Sequence, residues 1–149
     1  MQGEVWRISQ HPGLEGKGGL YVSGRWHNVG RPILYTAEHP ALALLETMAH
    51  LELSLDDIPT TLRLSRIHID PALQIARPDL PDGWQAHPSM TRRIGDAWLD
   101  SAQTAVLAVP SAVSPWSTNY LINPLHPDVA SGIVEHGHEA VWIDPRYLR

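Results

Sequence analysis

Apolar residues in this 149-residue chain come in short runs, and thirteen prolines and eleven glycines break them up, so many turns and short elements are expected. Val5 to Ile8 alternates, with Trp6 and Ile8 on one side and Arg7 on the other, and predicts a first strand. The segment HPGLEGKGG is too rich in glycine for regular structure, and Leu20 to Val22 reads as a short strand after it. Asn28 to Pro32 reads as a turn before a strand over Ile33 to Thr36. Pro40 suits an early helical position, in a helix from about His39 to Leu53. Its leucines and alanines fall nearly all the way round, which predicts a buried helix.

Between Thr61 and Ile69, Leu62 and Leu64 have the opposite parity to Ile67 and Ile69. A bulge near Ser65, or burial of both faces, is expected there. Pro78 to Pro88 reads as a loop anchored by Trp84, and Thr91 as the cap of a helix with Ile94, Ala97, Trp98 and Ala102 inside. Strands follow at Ala105 to Val109, stopped by Pro110, and at Tyr120 to Ile122. Pro127 opens a brief helix to about His136, Gly137 ends it, and Ala140 to Ile143 is a last strand. Several short strands with about three helices make the fold class α+β, in a single domain over residues 1–149.

Composition narrows the function. A net charge of -5 argues against direct nucleic-acid binding, and the one close basic pair, Arg92 and Arg93, reads as a solvated helix start. There is no cysteine, hence no disulfide and no thiolate nucleophile or zinc ligand, which fits a cytoplasmic protein. Neither a signal peptide nor about 20 consecutive apolar residues for a membrane span is present in the sequence. Of nine histidines, His136 and His138 are close and His126 lies ten residues before the first. They lack a defined ligand spacing, so no metal site is expected. The glycines of GKGG form neither a dinucleotide fingerprint nor a P-loop.

The candidate chemistry gathers between Gly16 and Glu46. Arg25 sits in a glycine-bounded segment, where a planar guanidinium serves either phosphate recognition or a surface ion pair. Tyr35 closes an apolar strand, as an ordinary core ring or as a platform for a planar ligand. Glu46 has Leu42, Ala43, Ala49 and His50 as helical neighbours; it either reaches solvent and His50 or is a carboxylate held for use. Ser111 directly follows a strand but sits in no nucleophile elbow, and Asn119 and Asn123 suit Asx turns.

In order along the chain come Trp6-Arg7, GRW (Gly24 to Trp26), LYTAE (Leu34 to Glu38) and LALLE (Leu42 to Glu46). Then follow GDAWL (Gly95 to Leu99), VPSAV (Val109 to Val113), NYLINPLHPD (Asn119 to Asp128) and DPR (Asp144 to Arg146). This ordered set resembles the RES domain, the toxin half of RES–Xre toxin–antitoxin pairs. The resemblance implies a fold like that of ADP-ribosyltransferases and degradation of NAD+ by cleavage of its nicotinamide–ribose bond, through phosphorolysis or hydrolysis. It places the catalytic residues at Arg25, Tyr35, Glu46 and Ser111, with Arg7 and Asn119 as further NAD+ contacts. It implies no prosthetic group: NAD+ is substrate, inorganic phosphate a possible co-substrate, and an Xre-like antitoxin the partner that blocks the site. His27 departs from the family pattern, which often has Asn after GRW; Asn28 follows at once. Two other readings stay open, a mono-ADP-ribosyltransferase acting on a protein and a silent antitoxin-binding module. Oligomeric state, as homo-oligomer or with antitoxin, also stays open.

Overall fold

The computed structural model describes residues 3–51 and 61–148. In chain order the elements are β1 (Glu4–Ser9), β2 (Leu34–Ala37), α1 (Pro40–Leu51), β3 (Arg63–Ile69) and β4 (Ile75–Ala76). Then come α2 (Pro88–Ser101), β5 (Val106–Pro110), β6 (Thr118–Ile122), α3 (Asp128–Gly132) and β7 (Ile133–Ala140). The strands form one sheet in the order β4-β5-β6-β2-β1-β3-β7, antiparallel throughout except for β4 beside β5. The α+β expectation holds.

Alternation along the central strands sorts side chains onto two faces. Val106, Ala108, Tyr120, Ile122 and Leu34 join Val5, Ile67 and Ile69 in one buried cluster, which α3 covers through Val129. Leu107, Val109 and Leu121 face the other way, under Trp26, Trp84 and Trp98. On that same face α1 lies across β1 and β2, its Leu42 and Ala43 packed on Ala37, Trp6 and Ile8. Among the described residues no helix is long and apolar enough to cross a membrane.

One irregularity in the sheet positions the cleft. β1 pairs with β3 along six residues, from Glu4↔His68 to Ser9↔Arg63, but meets β2 at the single pair Trp6↔Ala37. Beyond that pair the two strands splay, and the sheet opens into a wedge.

Several expected elements differ. α1 is buried on one side only: it lies on the outside of the sheet, and Leu45 is exposed. Residues 52 and 53 of the expected helix lie outside the described residues. Leu20 to Val22 is no strand; a 3-10 turn occupies Lys17–Leu20, and Tyr21 and Val22 face solvent. Thr91 does not cap α2. His87 occupies that place ahead of Pro88, whose fixed φ suits the first helical position. Thr91 is an interior, fully buried residue of α2, while Ala97 and Ala102 of the expected inner face are exposed.

The irregularity near Ser65 falls one strand over. Arg66 pairs with Gly137 and Ile67 with Glu135, so the extra residue is His136 of β7. The helix after Pro127 ends at Gly132, and residues 133–140 form the last strand, earlier than expected. β7 is an edge strand, and its polar sequence VEHGHE carried no hydrophobic alternation to announce it.

Candidate active site

The wedge between β1 and β2, roofed by the loop over residues 9–27 and by α1, is a cleft of about 480 Å³. That is a small-molecule size. Arg7, Arg25, Tyr35, Glu46 and Asn119 all line it; Ser111 does not.

Glu46 sits on the inner side of α1, and two strands of the sheet reach up to it. Oε1 accepts a hydrogen bond from Ser111 Oγ at 2.6 Å, just past β5, and another from Asn119 Nδ2 at 2.7 Å, on β6. The Ser111 hydroxyl also accepts the backbone N–H groups of Val113 (3.1 Å) and Ser114 (3.0 Å). With both lone pairs occupied, its one proton is directed at Glu46. Two donors on one oxygen fix the carboxylate and leave Oε2 without a partner among the described residues. His50, the i+4 neighbour, takes no part in this arrangement. Ser111 is buried and stands behind the carboxylate, not on the cleft wall.

Tyr35 projects from β2 onto the cleft face, and its hydroxyl is used internally. It accepts the Trp26 N–H at 3.1 Å and meets His27 Nδ1 at 2.7 Å. His27 Nε2 lies 3.0 Å from the Val22 carbonyl, so Nε2 carries the proton, Nδ1 accepts, and the tyrosine hydroxyl donates to it. Burial pushes the Tyr35 phenol well above its ordinary value, and the same cause lowers the His27 imidazole against backbone bonds that raise it. A neutral histidine and a neutral tyrosine thus tie the glycine-rich loop to β2. Gly24 is required here, because a Cβ would collide with the Tyr35 hydroxyl.

The loop that carries Arg25 is clamped by α2. Thr91 Oγ1 donates to the Arg25 carbonyl at 2.5 Å and Arg92 Nε to the Gly24 carbonyl at 2.8 Å. Asp96 accepts from both the backbone and the side chain of Asn28, and Arg31 pairs with Asp96 and Asp100. Arg92 is therefore part of this clamp, not the solvated helix start its sequence context suggested. Trp26 packs on Trp84 with ring centroids 5.6 Å apart. The Arg25 guanidinium, anchored by one bond to the Gln85 carbonyl at 3.1 Å, retains other donors. Arg7 donates to the carbonyls of His11 and Gly13; burial lowers its pKa, and Glu135 opposes that.

Little in the local pattern marked His27, Thr91 and Arg92 as supports of the site. Only the departure at His27 marked one of them, and its partner Tyr35 is eight residues away across a turn.

A family model described as the RES domain matches residues 4–144. This chain belongs to the RES domain family. Over 132 residues, 88% of this chain and 91% of the relative, it is 48% identical to "Toxin Res" of Pseudomonas putida strain KT2440. It is 38% identical over 162 residues to "Prs ADP-ribosylating toxin" of Sphingobium sp. strain YBL2, covering 100% of this chain and 99% of that one. Among solved structures, the fold is shared with a chain of the Mycobacterium tuberculosis MbcT–MbcA toxin–antitoxin complex. The TM-score is 0.75 at 15% identity, over 99% of this chain and 87% of that one.

Proposed function

We propose that this RES domain is the toxin of a toxin–antitoxin pair and breaks the nicotinamide–ribose bond of NAD+. The observation that carries the reading is the Glu46 carboxylate, fixed by Ser111 and Asn119 in a cleft that also presents the Tyr35 ring and two arginines. As the bond breaks, its electron pair returns to the nicotinamide ring, which leaves neutral and needs no acid. Positive charge builds on the ribose in an oxocarbenium-like transition state. A carboxylate already held in place favours that cation over the ground state without reorganising.

In this reading Oε2 of Glu46 faces the ribose, Arg25 holds the pyrophosphate with Arg7 as a second contact, and the Tyr35 ring packs against the nicotinamide side. Asn119 lines the same wall. Ser111 serves by aiming Glu46. The acceptor, inorganic phosphate or water, forms a bond to ribose C1 from the open side of the wedge. An Xre-like antitoxin closing that side would silence the site, and any DNA contact would belong to the antitoxin.

The experiment is incubation of the purified chain with NAD+, with and without phosphate, with products identified by mass. Nicotinamide release that Glu46→Gln abolishes is expected. Intact NAD+ with the partner-free chain would overturn the reading and leave a silent antitoxin-binding module. The name of the Sphingobium relative favours a second reading, transfer of ADP-ribose to a protein. It predicts cell proteins heavier by one ADP-ribosyl group in the same incubation.

A further inference from the structure

Away from the cleft, Glu4, His68 and His136 bring one carboxylate and two imidazoles together, with one donor atom of each within 4.8 Å of the others. Glu4 and His68 face each other across β1 and β3 as a register pair. His136 is the extra residue of the β7 bulge, and Gly137 follows it at φ +149°. A bulge re-aims a side chain, and here it sets the His136 ring edge-on to His68 with centroids 5.8 Å apart. None of the three lines the cleft.

Two details do not suit an ordinary polar cluster. Glu4 Oε1 stands 3.6 Å from His68 Nδ1, too far for a hydrogen bond. Donors about 2.0–2.1 Å from a tetrahedral zinc stand roughly 3.3–3.5 Å apart, close to that spacing. The other carboxylate oxygen, Oε2, is buried and has no hydrogen-bond partner among the described residues. An oxygen taken from water without a donor is costly unless a cation satisfies the group.

We propose that Glu4, His68 and His136 form a site for a divalent transition-metal ion of the zinc type. Two nitrogens and one oxygen are a borderline donor set that such ions take, with water in the fourth position. The ion ties β1, β3 and the edge strand β7 together, so its consequence is stability of that side of the sheet. It adds nothing to the reacting atoms.

The test is calorimetric titration of the full, chelator-stripped chain with zinc chloride, with cobalt(II) as a spectroscopic probe. One ion per chain is expected, together with the visible absorption of four-coordinate cobalt and a zinc-dependent rise in Tm. Glu4→Gln, His68→Ala and His136→Ala should each weaken binding at least about tenfold, the lower end of what losing even an outer-shell partner costs. His138→Ala, on an exposed histidine bonded to Arg63, should bind as the parent does. His136 is exposed, so His136→Ala is expected to keep the parent's circular dichroism. The proposal is overturned if no stoichiometric binding occurs. Undiminished binding in His136→Ala, or an equal loss in His138→Ala, overturns it as well.

Discussion

Ser111 gives its only proton to Glu46 because two backbone N–H groups already occupy its oxygen. Removing a hydrogen bond to a charged group costs about 1.5–3 kcal/mol, which is roughly 10- to 100-fold in rate if the bond matters most in the transition state. Ser111→Ala is therefore expected to lower kcat for NAD+ cleavage by about that factor while leaving KM nearly unchanged, since Ser111 lies off the cleft wall. Steady-state kinetics check it; an equal rise in KM would return Ser111 to the role of ligand contact. His27 carries a second expectation. Its imidazole, held below the ordinary 6.5 by burial, stays neutral in the fold where the unfolded chain already takes up a proton. The stability it contributes is present above about pH 6.5 and is lost as pH falls from there toward its folded value. Denaturant unfolding between pH 5 and 8 should show that slope in the parent and a shallower one in His27→Gln.

At the scale of elements, α2 works as the clamp on the Arg25 loop. Gly95 lies against the Trp26 carbonyl so closely that a Cβ would collide with it. Gly95→Ala should push the loop off α2, costing about 1–3 kcal/mol of stability as overpacking does and raising KM for NAD+ more than it lowers kcat. Thermal unfolding and kinetics on one preparation separate the two effects. Elements announced by their apolar residues were legible beforehand: β1 through alternation, β5 and β6 through short buried apolar runs bounded by proline and polar loops, each placed within about two residues, the usual reach of boundary uncertainty. β7 was not, because an edge strand facing solvent needs no apolar face, and the exposed leucine and valine around Tyr21 imitated a strand that does not form. The resemblance pointed to Arg25, Tyr35 and Glu46 within one stretch, and the fold does bring them to one cleft. What no local pattern carried was the pairing of Glu46 with Ser111, 65 residues on, since that bond exists only once the sheet has brought the end of β5 up to α1.

Taken whole, the molecule is a sheet of two leaves, β4-β5-β6-β2 and β1-β3-β7, whose strands meet at Trp6↔Ala37. On the face of the sheet opposite the cleft both leaves share a core, where Leu34 and Ile122 pack with Val5 and Ile67. At the open end the edges of Arg7–Ser9 and of Tyr35 flank the cleft. A ligand seated there should slow amide hydrogen exchange on both edges at once, at residues 7–9 and 35–36, while Val106 to Val109 in the core stay as they were. ADP-ribose is the probe, with exchange read by mass spectrometry, and protection confined to one edge would contradict the arrangement. The geometry is that of a clothes-peg: Trp6 and Ala37 are the spring, α1 is glued across both arms, and the jaws grip whatever enters from the far side. For the proposed reaction, a partner that wedges into those jaws need not touch Glu46 to act: a misplacement of about 1 Å between carboxylate and sugar costs on the order of a hundredfold in rate.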